Sequence, residues 1–231
     1  MARIGIVSDL HLPFVHPMYL RFIQDTFSQW EVSKVHFTGD IVDSHALGFW
    51  EHDPDGHSAG DEADAASKAL LVWKKAFPIA TVSIGNHDER HFRVARKSGL
   101  PSRFLRAYKD VWDTPKWKWD FSHTIDEVLY EHGTGTSGKD AALNLAIQKR
   151  TSLVMGHVHS YAGVKWHANH SNTIFGMNAG CGIDCQAYAF DYGKAFPIRP
   201  MLGCGIVIDG WYATFEPMRC GPREPYNRRK A

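Results

Sequence analysis

Five short motifs along this chain bring together side chains able to bind divalent metal ions. They are Asp9-Leu10-His11, Gly39-Asp40-Ile41-Val42-Asp43, Gly85-Asn86-His87-Asp88, His132-Gly133 and Gly156-His157-Val158-His159. Imidazole nitrogens mixed with carboxylate and amide oxygens favour ions such as Mn, Fe, Co, Ni or Zn over Mg or Ca. Two such ions about 3.5–4 Å apart can neutralise a phosphoester, acidify a bound water and align its attack with the departing oxygen. Asp9, His11, Asp40, Asn86, His132, His157 and His159 supply enough nitrogen and oxygen donors for such a pair. Taken singly, each motif could be a polar loop capping a strand, because Asp, His and Gly gather in turns for geometric reasons. Five in a fixed order are a different observation.

The motifs need elements that bring residues about 150 positions apart to one point. Apolar, β-branched runs at residues 3–8, 35–38, 80–84, 128–130 and 153–155 each end at a motif, which predicts buried strands with the chemistry at their carboxyl ends. Open α/β sheets place their sites there. Helical patterns lie between them at 17–30, 61–77 and 139–149. Farther on, 173–178, 205–208 and 211–215 read as strands without intervening helices, and Asp209-Gly210 signals a hairpin between the last two. Within Asp-x-His and His-x-His, an extended backbone would turn both side chains to the same side. A helix would separate them by about 200°.

Together the motifs resemble the calcineurin-like metallophosphoesterase superfamily over residues 9–159. The resemblance implies an α/β fold of two mixed β-sheets packed as a sandwich and flanked by helices, in one domain over 1–231. It implies Asp9, His11 and His159 on one metal, Asn86, His132 and His157 on the other, and Asp40 bridging two divalent ions. Mn is the first choice, with Fe, Zn, Ni or Co as alternatives. His87 would stabilise the transferring phosphoryl group or protonate the leaving oxygen, and Asp88 would orient its ring. Asp43 would support the site through hydrogen bonds, as outer carboxylates commonly do for ligating histidines, or act in catalysis directly. Protein-phosphatase members carry Arg-Gly after this Asp, whereas this chain has Ser44-His45, which removes a bidentate phosphate clamp. His45 and Arg90 remain candidate substrate contacts.

The implied activity is hydrolysis of phosphate mono- or diesters by in-line attack of a metal-bridged hydroxide. A nuclease is the alternative within enzymes and predicts salt-dependent binding to DNA or RNA. A non-catalytic scaffold of the same fold is a third reading; such relatives tend to lose donors that this chain keeps.

The remaining features are weaker. A net charge of +1 gives no overall field toward nucleic acid or membranes. No run reaches the roughly 18 apolar residues of a membrane span, so the expectation is a cytoplasmic protein with no membrane contact and no obligate protein partner. Cys181, Cys185, Cys204 and Cys220 lie outside the motifs, and with His167 and His170 they match no strong zinc spacing. Residues 133–139 match the first seven positions of a phosphate-binding P-loop, but Asp140 replaces the required Ser or Thr. A helical insert at about 90–120 is basic, with Phe92, Phe104, Tyr108, Trp112 and Trp117 interleaved. That composition suits a nucleotide or single-stranded nucleic acid, or a helix with a basic outer face and an aromatic inner one. The acidic stretch 51–64 reads as an exposed loop entering a helix, and the tail from 221 as loosely docked.

Overall fold

The computed structural model describes residues 2–48, 56–184 and 199–219. In chain order the strands are β1 (Arg3–Val7), β2 (Lys34–Phe37), β3 (Ala80–Ser83), β4 (Trp117–Asp120), β5 (Ser122–Ile125), β6 (Val128–Glu131), β7 (Leu153–Met155), β8 (Gly163–Ala168), β9 (Thr173–Asn178), β10 (Gly203–Ile208) and β11 (Tyr212–Pro217). The helices are α1 (Tyr19–Gln29), α2 (Ala59–Ala76), α3 (Arg90–Lys97), α4 (Tyr108–Val111) and α5 (Ala141–Lys149). A six-stranded sheet runs β11-β10-β1-β2-β3-β4, and a five-stranded sheet runs β5-β6-β7-β9-β8. Both are mixed: β1 to β4 are parallel with β10 and β11 antiparallel, while β6, β7 and β9 are parallel between antiparallel β5 and β8.

Side-chain alternation along the strands sorts the apolar residues into layers. Ile4 and Ile6 of β1 meet Tyr130, Val154, Phe175 and Met177 from the other sheet, forming the seam between the sheets. The opposite face of the six-stranded sheet, with Val7 and Phe37, receives α1 and α2. On the far side, α5 sets Ala142 and Ala146 against Leu153 and Ile174. The result is a helix–sheet–sheet–helix sandwich. Helix α1 buries Tyr19, Phe22, Ile23, Thr26 and Phe27, the spacing of a single helical face. Helix α2 starts at Ser58, whose Oγ accepts from the Asp61 N–H at 3.2 Å; Asp61 and Glu62 occupy its first turn and Lys74 and Lys75 its last.

Several sequence expectations shift. Strands β4, β5 and β8 were not expected: two are four residues long, and β8 is an edge strand with mixed burial, so none carries a clear apolar run. The insert at 90–120 is helical only in part, since Trp117–Asp120 pairs in parallel with β3. Its aromatics face inward. Trp117 stacks on Phe37 at 4.7 Å, Tyr108 stacks on Trp119 at 5.5 Å, and Trp112 is buried, leaving Phe104 exposed. The hairpin forms with Asp209 and Gly210 both at positive φ, but three residues separate the paired Ile208 and Tyr212. The acidic stretch is not simply exposed, because Glu62 is buried. Cys181 and Cys204 are buried; Cys185, Cys220, residues 51–55 and the tail from 221 lie outside the described residues. Among the described residues, no helix is long and apolar enough to cross a membrane.

Candidate metal centre

The strands β1, β2, β3, β6 and β7 deliver all five motifs to one end of the sandwich, just past their carboxyl ends. Asp9, Asp40 and His132 are buried, while Asn86, His157 and His159 are partly open. Their donors form two groups. Asp9, His11, Asp40 and His159 each offer one atom within 4.8 Å of the others, and so do Asp40, His132 and His157. Asp40 belongs to both: its Oδ2 lies 3.2 Å from His132 Nε2 and 3.6 Å from His11 Nε2. Asn86 joins the second group, with Oδ1 3.0 Å from His132 Nε2. His159 Nε2 lies 3.1 Å from Asp9 Oδ1.

Backbone conformation does more to converge these donors than strand pleating. Asp9, His11, Asp40 and His157 all have φ between 47° and 67°, a region that non-glycine residues rarely adopt. The Asp9 and His11 side chains therefore meet through two left-handed residues around buried Leu10, not through the extended spacing expected from the sequence. Such strain persists only where surrounding structure over-determines it, and it gathers at functional sites. Two glycines let the carboxylates fit. A Cβ on Gly85 would stand 2.1 Å from Asp40 Oδ1, and one on Gly156 would stand 2.1 Å from Asp9 Oδ2.

Hydrogen bonds fix the imidazole rings. His132 Nδ1 is 2.9 Å from the Thr38 carbonyl, to which it donates, which leaves Nε2 as the inward-facing nitrogen. His11 Nδ1 is 2.6 Å from Asp43 Oδ1, turning its Nε2 inward as well. Metal-ligating histidines usually carry an outer partner of this kind. At the second group, His132 Nε2, Asn86 Oδ1, Asp40 Oδ2 and His157 Nδ1 then converge on a common region. A cation satisfies all of them at once, so the donor set fits a metal.

The electrostatics agree. Burial disfavours the Asp9, Asp40 and Asp43 carboxylates as anions, yet histidine hydrogen bonds and charges hold all three below the ordinary carboxylate range. Burial opposes charge on His132 too, but attraction to Asp40 and a hydrogen bond donated to its carboxylate push it up to about 10. The carboxylates thus create a demand for positive charge that protons meet on the histidines and that divalent ions would meet instead.

One residue sits differently from its expected role. Asp88 does not reach the His87 ring: its Oδ1 accepts from the Ile41 and Val42 N–H groups at 2.9 and 3.2 Å, and its Oδ2 from Gly85 N–H at 3.0 Å. Being buried beside Asp40, its carboxyl is pushed up to about 7. Asp43 takes the orienting position instead, with Oδ1 2.6 Å from His11 Nδ1 and 2.9 Å from His87 Nδ1, which also lies 2.9 Å from the Asp43 carbonyl oxygen. His87 in turn places Nε2 4.0 Å from Asp40 Oδ2. His45 points toward Asp43, with Nδ1 3.7 Å from Oδ2. Arg90 Nη1 donates to the carbonyls of Asp43 and Ser44 at 2.9 and 3.1 Å, and Nη2 lies 3.2 Å from His87 Nε2.

Sequence reasoning missed three supports. Ser8 Oγ bonds Asp9 Oδ2 and receives the Thr38 hydroxyl at 2.7 Å. Both precede motif residues closely, which was the available signal. Glu62 accepts from the His45 and Ala46 N–H groups at 2.6 and 2.7 Å, pinning the segment after Asp43 from α2. Its place at a buried helical position, in step with Ala66 and Leu70, was the signal there. The glycine-rich 133–139 loop ends at Asp140, which pairs with Lys165.

A family model described as calcineurin-like phosphoesterase matches residues 2–192. Among solved structures, vacuolar protein sorting 29 from Cryptosporidium parvum aligns at 10% identity over 89% of this chain and 83% of its own, with a TM-score of 0.46. Yfce, a phosphoesterase from E. coli, aligns at 14% identity over 88% and 87%, with a TM-score of 0.39. The Pseudomonas putida nuclease MPE aligns at 10% identity over 92% and 87%, with a TM-score of 0.32. A search of curated proteins finds no match.

Proposed function

The chain belongs to the calcineurin-like phosphoesterase family, and from that premise we propose that it is a dinuclear metal-dependent hydrolase of phosphate mono- or diesters. The observation that carries the reading is the position of Asp40 Oδ2 between His11 Nε2 and His132 Nε2, which makes one carboxylate common to both donor groups. Asp9, His11 and His159 would hold one ion, Asn86, His132 and His157 the other, and Asp40 both. When bound, two ions supply charge neutralisation and an acidified water for in-line displacement. Mn is the first candidate, with Fe, Zn, Ni or Co as alternatives.

The chain's own residues supply the rest. His87 stands at the edge of the donor groups, with its Nδ1 side held by Asp43 and its Nε2 turned inward beside Arg90 Nη2, where it would face the leaving oxygen or the phosphoryl group. Burial disfavours its protonated form, but Asp40 and Asp43 outweigh burial and raise its pKa, which suits a proton donor. Asp43 fixes His11 and His87 with one oxygen, coupling the metal position to the acid. Asp88 locks the turns that carry Asp40 and Asn86 through backbone N–H groups. The inward packing of Trp112, Trp117 and Tyr108 removes most of the stacking surface that favoured a nucleic-acid substrate.

The test is hydrolysis of p-nitrophenyl phosphate and bis-p-nitrophenyl phosphate by metal-stripped protein reloaded with each candidate ion, with Asp40→Asn as blank. Metal-dependent turnover above the blank is expected. Tight binding of two ions with no turnover on either ester or on nucleotides would favour the scaffold reading instead.

A further inference from the structure

We propose that Arg90 selects phosphomonoester dianions over diesters by offering its uncommitted guanidinium N–H groups to the third terminal oxygen of a phosphoryl group seated beside His87. The inference rests on the phosphoesterase reading and names the substrate class for that site.

Arg90 opens α3, three residues beyond His87. A guanidinium has five N–H donors in a rigid fork. Both Nη1 donors are spent on the Asp43 and Ser44 carbonyls, at 2.9 and 3.1 Å. Those two bonds clamp the half-buried group so that Nη2 stands 3.2 Å from His87 Nε2. That nitrogen is itself 4.0 Å from Asp40 Oδ2, the oxygen common to both donor groups. The Nε–H has no partner among the described residues, and Nη2 contacts only the His87 ring. The sequence has Ser44 and His45 after Asp43, so the structure brings a guanidinium to that segment from α3 instead. An oxygen anion seated between Nη2 and Nε2 would be reached by both.

The two ester classes differ in what they present there. A monoester near neutral pH carries three terminal oxygens and roughly 1.5 to 2 negative charges. A diester carries two terminal oxygens and one charge, and its remaining position is a substituted ester oxygen, a poor acceptor that brings an organic group against the clamp. A fork already held by two carbonyls loses little freedom on binding and cannot readily swing aside. It therefore rewards the dianion and does little for the diester.

The experiment is calorimetric titration of inorganic phosphate and of dimethyl phosphate into Mn²⁺-loaded protein at mildly alkaline pH. Wild type should prefer phosphate. Arg90→Ala should lose about 10- to 100-fold in phosphate affinity, the worth of a hydrogen bond to a charged group, and far less for dimethyl phosphate. Arg90→Lys, which keeps the charge without the fork, should fall between. Glu62→Gln loosens the same segment at His45 and Ala46 but keeps the guanidinium, so it should retain the preference. The proposal is overturned by equal losses for both anions in Arg90→Ala, by loss of preference in Glu62→Gln, or by no preference in wild type. Selective phosphate binding through Arg90 with no hydrolysis of any ester would instead fail the phosphoesterase reading and leave the anion site standing.

Discussion

A single methyl group added at Gly156 tests whether the first donor group is a metal site. The Cβ of Gly156→Ala would stand 2.1 Å from Asp9 Oδ2, 2.5 Å from Ser8 Oγ and 2.8 Å from Thr38 Oγ1, where ordinary contact begins at 3.4 Å. Either the Asp9 carboxylate or the 156–159 backbone must then move by roughly 1.3 Å, the gap between the first and last of those distances. Ser8, Asp9 and Thr38 are fully buried and bonded to one another, so the displacement has no slack to enter. Overpacking of this kind costs about 1–3 kcal/mol, and misplacing a reactive group by 1 Å can cost about 100-fold in rate. The variant should hold fewer than two ions after dialysis, by elemental analysis, and show kcat/KM down by about 100-fold or more. Gly60→Ala in α2 is the control, because its Cβ meets only Ser58 Oγ at 3.9 Å; it should gain about 0.5–1 kcal/mol of stability. Two tightly bound ions and undiminished turnover in Gly156→Ala would refute the reasoning.

Asp43→Asn should weaken metal binding by about 10- to 100-fold and lower kcat further, because one oxygen orients both His11 and His87; calorimetry with stripped protein separates the two losses. In wild type the depressed Asp43 pKa means that its stabilisation is present above the ordinary carboxylate value of about 4 and is lost as pH falls below it. His36 has the opposite chemistry. Burial holds its pKa well below 6.5, so the unfolded chain takes the proton first and stability falls as pH drops below that value. Denaturant titrations of wild type and His36→Gln should therefore show a stability difference that shrinks from neutral pH toward acid; a constant difference would contradict the assignment. Ser58→Ala should cost about 1 kcal/mol through the lost cap of α2, a drop in Tm of about 2–4 °C for a chain of this size.

The parts of this fold that could be read in advance are those where one physical signal dominates. Residues 153–155 and 173–178 match β7 and β9 because the apolar run 153–155 ends at Gly156 and the largely apolar stretch 174–177 lies between Thr173 and Asn178. Strand β5, with Ser122 and His123 half out of the core, had no such run. That these side chains gather in one place was legible because metal chemistry restricts residue types, and their order along the chain restricted them again. The route by which they converge was not. Positive φ at Asp9, His11, Asp40 and His157 depends on contacts from distant segments, such as the His157 N–H donating to Asp9 at 3.1 Å. The partner of His87 was misassigned for a similar reason. Asp88 is its neighbour in sequence, but its carboxylate is consumed by backbone N–H groups of the 41–42 turn, which only the folded chain brings to it.

The donors come from both sheets, and this ties the chemistry to the packing. Asp9, His11, Asp40 and Asn86 follow strands of the six-stranded sheet, whereas His132, His157 and His159 follow strands of the five-stranded one. Bonds from His157 N–H to Asp9 and from His132 Nδ1 to the Thr38 carbonyl continue the apolar seam of Ile4, Ile6, Tyr130, Phe175 and Met177 to its polar end. Along the seam, burial of apolar surface favours the folded state. At its end, buried carboxylates and left-handed residues oppose it. The site is therefore held in shape by packing that lies two or three residues back along the same strands, as Tyr130 is to His132 and Ile6 to Asp9. A cavity made in that seam would reach the chemistry through geometry, by letting the two halves of the donor set drift apart, before it unfolded the chain.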